Sequence, residues 1–126
     1  MKNVTDAESV RLYVLDDARK HLIDLQYDTP RKPEGCIQAC IASGDVMILE
    51  EPGEDPNFNA NSDNLDLEEL DNLMIVPIFT SYKEVRGIIA AANGNFDSEA
   101  VQIAKFLALI IFFVFDHKNH EKINAG

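Results

Sequence analysis

Ten consecutive apolar residues, Phe106 to Phe115, constrain this chain more than any other stretch. A bilayer-spanning helix needs roughly 20 such residues. The run is therefore too short to cross a membrane and too apolar to lie bare in water. Asp97 stands where a helix N-cap belongs, and the spacing predicts a helix over roughly 98–121 that carries the run. Glu99, Gln102 and Lys105 mark its outward stripe. Ala100, Ile103, Ala104, Leu107, Ile111 and Val114 form the opposite stripe, expected against a sheet. Continued at helical spacing, the outward stripe reaches Leu109, Phe112 and Asp116. Large apolar groups on a face that begins polar point to a partner surface, or to cover by residues 1–9 of the same chain.

The sheet that this helix needs is legible upstream. Val10–Leu15 alternates and is rich in β-branched and aromatic residues, so it reads as a strand. After the polar stretch 16–20, His21–Tyr27 reads as the returning strand of a hairpin, with His21 pointing outward. Thr5 and Glu8 match a capping box. Thr29–Pro33 holds two prolines and reads as a loop. Gly35–Ser43 shows helical spacing, with Gly44 as its terminating residue. Val46–Leu49 reads as a short buried strand. Leu65, Leu67 and Leu70 suggest a short surface helix. Leu73–Thr80 is a strand in which Pro77 demands an edge or a bulge. Residues 81–84 read as a turn and Val85–Asn93 as the last strand. The 126 residues suit one domain. The order predicts an α+β fold: a mainly antiparallel sheet of five to six strands with helices on both faces.

Charge narrows the function classes. Eleven basic residues face 22 acidic ones, a formal net charge of -11. Such a chain is repelled by nucleic-acid backbones and anionic membrane surfaces. The segment Glu50–Asp71 holds nine carboxylates and no base, either a solvated face or a negatively charged cover. The N-terminal MKNVTDAE has no apolar signal-peptide core. Two cysteines, Cys36 and Cys40, provide no disulfide framework, and a cytoplasmic location is expected. Their spacing of four admits a redox pair or half a metal site, but buried thiols commonly serve only as packing. His117 and His120 lie at i, i+3 without an evident third ligand. Asn59, Asn61 and Asp63 alternate like calcium-loop ligands, yet Asn64 and Leu70 stand where that loop needs Gly and Glu. No metal or cofactor is expected. No P-loop, HExxH or GxSxG motif and no nucleophilic triad occurs, so no enzyme is expected.

Six local patterns in this order resemble the GAF domain family. They are Gly35–Gly44, Val46–Leu49, the acidic Glu51–Asn59 with its Asp-Pro-Asn-Phe-Asn, Leu73–Ile78 ending in Val-Pro-Ile, Val85–Gly87, and Asn93–Phe96. The stretch 51–59 looks most like the tandem GAF domains of cyclic nucleotide phosphodiesterases and cyclases. Departures from that branch are Gly94 for a lysine, Ala100-Val101 for an acidic pair, and Leu70-Asp71 for Thr-Arg. The last of these removes a hydroxyl and reverses a charge beside the expected ligand.

The resemblance implies a regulatory sensor domain spanning 1–126, a segment of a larger signalling protein with adjacent domains. It implies a small-molecule pocket, cyclic nucleotide-like, near Cys36, Ile37, Phe58, Asn59, Asp63, Leu70 and Asn93. It further implies a homodimer through the terminal helices at Leu109, Phe112 and Asp116. Phe58 would anchor the pocket cover and Phe96 would plug the core beneath the last helix. Two alternatives accompany this reading. One is a degenerate domain that serves only protein–protein assembly. The other is a GAF-fold redox enzyme, the family including reducers of free methionine sulfoxide whose cysteines lie elsewhere.

Overall fold

The computed structural model describes residues 7–16, 21–24, 29–59, 63, 65, 67–79 and 84–125; of residues 29, 112 and 115–125 only the backbone is described. Strand β1 (Ser9–Leu15) pairs antiparallel with β2 (Leu22–Asp24), as expected for a hairpin. Thr29–Arg31 forms a third strand, β3, on the outer side of β2, which corrects the expectation of a loop. The reason is position: β3 is the sheet edge, where the missing N–H of Pro30 costs no ladder bond. Helix α1 (Gly35–Ser43) follows and ends where Gly44, at φ 72°, donates its N–H to the Cys40 carbonyl.

Strand β4 (Met47–Leu49) is the other edge of the sheet and leaves Ile48 43% exposed, so it is not the buried strand anticipated. A 3₁₀ turn, Pro52–Glu54, leads into the acidic segment. Strands β5 (Leu73–Phe79) and β6 (Val85–Ala92) form the longest pairing. The six strands run β3-β2-β1-β6-β5-β4, every neighbouring pair antiparallel. Pro77 lies beyond the reach of β4, which stops at Ile75, and one residue before a register shift at Ile78/Phe79. Both conditions expected of it are therefore met. Gly87 sits where β1 crosses closest, and a Cβ there would strike the Tyr13 carbonyl oxygen. This explains why the β6 entry needs glycine.

The sheet buries both faces. On one, α1 and the acidic segment cover Tyr13, Leu15, Leu22, Leu73, Ile75, Ile88 and Ala90. On the other, α2 (Ser98–Ala125) and Ala7 cover Met74, Val76, Ile78, Ile89 and Ala91. Asp97 caps α2, accepting the Ala100 N–H at 2.9 Å, and Phe96 packs beneath the helix. Ala100, Ala104 and Ala108 are the buried rungs of α2, at 4%, 2% and 6% exposure. Leu107 and Val114, expected on the sheet, are exposed instead. The alanines let the helix backbone approach closely, which rolls the larger side chains off the sheet.

The leucines of the acidic segment also depart from expectation. Residues 67–72 are not helical and Leu65 adopts φ 52°. Leu65, Leu67 and Leu70 nevertheless turn inward onto the α1-side core. At the N-terminus, Ala7 and Glu8 are not helical. Glu8 donates its N–H to the carbonyls of Ala92 and Asn93, and Thr5 lies outside the described residues.

Candidate functional site

The resemblance puts a ligand under the acidic segment, and there the chain's own groups bond to one another. Asp55, Pro56 and Asn57 form a tight turn: the Asp55 carboxylate accepts the Asn57 N–H at 2.8 Å and its carbonyl accepts the Phe58 N–H. Phe58 packs on the core below. Asn59 then accepts the Asp63 N–H at 2.8 Å. That turn delivers the Asp63 side chain, fully buried, to the first turn of α1.

Its carboxylate accepts N–H bonds from Cys36 at 2.8 Å, Asn59 at 2.9 Å and Ile37 at 3.4 Å. Glu34, the N-cap residue, makes no side-chain cap of its own. Asp63 therefore supplies from 27 residues away the acceptor that a local cap normally provides. Its charge also meets the positive end of the helix dipole. One carboxylate of the acidic cover thus points inward, although Glu51, Glu54, Glu68, Glu69 and Asp71 are exposed.

The sheet supplies cations that the cover lacks. Arg11 is 9% exposed and pairs with buried Asp24 at 3.0 Å, while its other nitrogen donates to the Leu65 carbonyl at 3.4 Å. Arg31 stands 5.4 Å from the Tyr13 ring centre, in cation–π range. The sequence reading missed this cluster. A signal existed: Arg11 shares strand parity with inward Tyr13 and Leu15, and Asp24 shares it with inward Leu22.

Of the expected pocket residues, Cys36, Ile37, Asn59 and Asp63 are joined by hydrogen bonds, and Phe58 and Leu70 pack on the same core. Asn93 stands apart, at the end of β6 in the left-handed region (φ 58°). Its side chain accepts the Asp71 N–H at 2.7 Å and donates to the Glu69 carbonyl at 2.8 Å and to Glu8 at 3.1 Å. It clamps the end of the acidic segment to the sheet.

Both cysteines are buried. Burial, then the charges of Asp63 and Asp55, pushes the Cys36 thiol up to about 12; burial, then Asp45, pushes Cys40 up to about 12 as well. Only the thiolate is a competent nucleophile or metal ligand. A raised acid pKa means the unfolded chain sheds protons first, so stability is full below about pH 9 and falls as pH rises toward 12. We expect negligible reaction of the native protein with a thiol reagent at pH 8, and reaction of both cysteines after unfolding. Fast labelling of the native protein would show an accessible thiolate and contradict this geometry. Among the described residues, no group of three or more His, Cys, Asp and Glu could hold a metal ion. The side chains of His117, His120 and Asn61 lie outside the described residues. His21 is exposed and bonds to Asp16 at 3.3 Å. No described helix is long and apolar enough to cross a membrane.

No family model matches the chain, and no curated protein matches it. Solved structures do. The GAF domain of a phosphoenolpyruvate-protein phosphotransferase from Coxiella burnetii superposes with a TM-score of 0.79 at 17% identity, over 94% of this chain and 77% of that one. Residues 122 to 287 of a methyl-accepting chemotaxis protein give 0.76 at 18% identity, over 92% and 80%. A free methionine-R-sulfoxide reductase from Thermoplasma acidophilum gives 0.66 at 15% identity, over 82% and 74%. At these identities the likeness establishes a GAF-like α+β fold.

Proposed function

We propose, from this GAF-like fold, that the chain is a non-catalytic regulatory domain of a larger signalling protein and acts by pairing with a second copy of itself through α2. One observation carries the reading. Opposite the alanine rungs, Phe106 and Phe113 are 62% and 60% exposed, with Leu109 and Ile110 beside them at 50% and 43%. A helical run apolar on every side, as Phe106–Phe115 is, wants cover on every side, and the sheet covers one. The side chains of Phe112 and Asp116, which the sequence reading also put on this interface, lie outside the described residues.

Length supports a second copy as the cover. The 28 residues of α2 run about 42 Å, whereas the eight residues of β6 run about 27 Å. The helix outruns its own sheet. Two such helices side by side bury each other's phenylalanines without a new fold element.

Light scattering behind size exclusion tests the pairing. The wild type is expected to be dimeric at micromolar concentration. Phe106→Asp with Phe113→Asp is expected to weaken the dimer by about 100-fold or more and to leave the monomer folded, since both rings are exposed in it. A monomeric wild type overturns the proposal.

The acidic cover favours assembly over cyclic nucleotide sensing, the ligand suggested by the phosphodiesterase-like stretch 51–59. A phosphate bound at the N-terminus of α1 would have to displace the Asp63 carboxylate, and like charges that close repel by about 1 kcal/mol or more. Calorimetry with cAMP and cGMP distinguishes the two: heat that saturates would restore the sensor reading, and its absence leaves assembly. The redox alternative has no support from the cysteines, which are buried and held as thiols.

A further inference from the structure

On the α2 face, away from the acidic cover, a groove of about 460 Å³ opens between the β4–β5 edge and the last helix. That volume is within the roughly 300–1,000 Å³ of small-molecule sites. It is lined by Val76, Pro77 and Phe79 of β5, by Gly44–Val46, and by Lys105, Ala108 and Leu109 of α2. The groove exists because β4 is short. β4 stops opposite Ile75, so beyond that point no described strand lies on the side of β5 away from β6.

Two charged residues interrupt the apolar lining, Asp45 and Lys105. They do not form an ion pair with each other, and among the described residues neither has an ion-pair partner. Both residues are exposed at the mouth of the groove. Apolar lining and two charges of opposite sign together define the complement. A purely anionic molecule would meet Asp45, and a purely cationic one would meet Lys105.

We propose that this groove binds a small zwitterion with an apolar body, an apolar α-amino acid being the simplest case. The ligand carboxylate meets Lys105 and the ligand ammonium meets Asp45. The apolar body lies on Val76 and Phe79 beside Leu109. The inference shares Leu109 with the dimer reading and uses none of the residues under the acidic cover.

The test is an amide chemical-shift titration with three matched probes: L-phenylalanine, hydrocinnamate, which lacks the amine, and phenethylamine, which lacks the carboxylate. It is run on the wild type and on the Phe106→Asp, Phe113→Asp variant. The expected result is saturable perturbation at Val46, Val76, Phe79 and Leu109 by L-phenylalanine, with each analogue at least about tenfold weaker. Lys105→Gln should weaken L-phenylalanine and hydrocinnamate but not phenethylamine; Asp45→Asn should weaken L-phenylalanine and phenethylamine but not hydrocinnamate. Equal binding of either analogue and L-phenylalanine overturns the zwitterion. No perturbation at these amides at millimolar probe, in both proteins, overturns the site. Because the variant is read alongside the wild type, a failed dimer and a failed groove give different results.

Discussion

Asp63→Ala is expected to destabilise the fold by about 3–5 kcal/mol in urea denaturation, a loss large enough to threaten folding at ambient temperature. The substitution removes no large apolar surface. What it removes is the carboxylate that accepts the N–H groups of Cys36, Ile37 and Asn59. Hydrogen bonds to a charged group contribute about 1.5–3 kcal/mol each, and a buried donor left unmade costs about 1–3 kcal/mol. Asp63→Asn keeps an acceptor oxygen and the side-chain volume while giving up the charge, so it should fall between wild type and alanine. A cost under about 1 kcal/mol for alanine would mean that water or another group already satisfies α1, and Asp63 would lose its place as the cap. Dimer formation should survive in any Asp63 variant that folds, because α2 lies on the other face of the sheet.

The second large effect concerns Arg11 and Asp24. Asp24→Ala should cost about 3–5 kcal/mol, since it removes the carboxylate paired with a guanidinium that is only 9% exposed. Arg11→Met should be similarly costly, removing the guanidinium that pairs with Asp24 and holds the Leu65 carbonyl. The double variant Arg11→Met, Asp24→Leu should recover most of the loss, because a buried ion pair replaced by apolar side chains of similar size is often neutral or better. A double-mutant cycle measures this directly. Simple additivity of the two single losses would show that the charges do not act as a pair.

These residues show how much of the site the sequence disclosed. Cys36, Ile37, Phe58, Asn59 and Asp63 could be gathered beforehand because local patterns in the right order imply their relative placement. The direction of Asp63 could not. In a run of nine carboxylates and no base, nothing local distinguishes Asp63, which turns inward. Only the arrival of α1, with an N-cap that caps nothing, creates the demand for it. Arg11 was legible in principle from strand parity, but its partner Asp24 becomes one only once the hairpin register sets the two strands together.

The fold itself was largely written in local signals. Alternation marked β1, glycine ended α1, and Asp97 started α2, because such signals act within a few residues and need no partner. Where those signals misled, the deciding fact was an edge or a neighbour. Thr29–Arg31 is a strand because it lies outermost, where proline is tolerated. Ile48 is exposed because no strand lies beyond β4. Leu107 and Val114 face away because three alanines make the tightest seat on the sheet. The sequence by itself determined which segments pair and which run of residues must find cover. The tertiary structure alone decided which side of each segment is covered, since burial depends on what stands opposite, and that is set by contacts far apart along the chain.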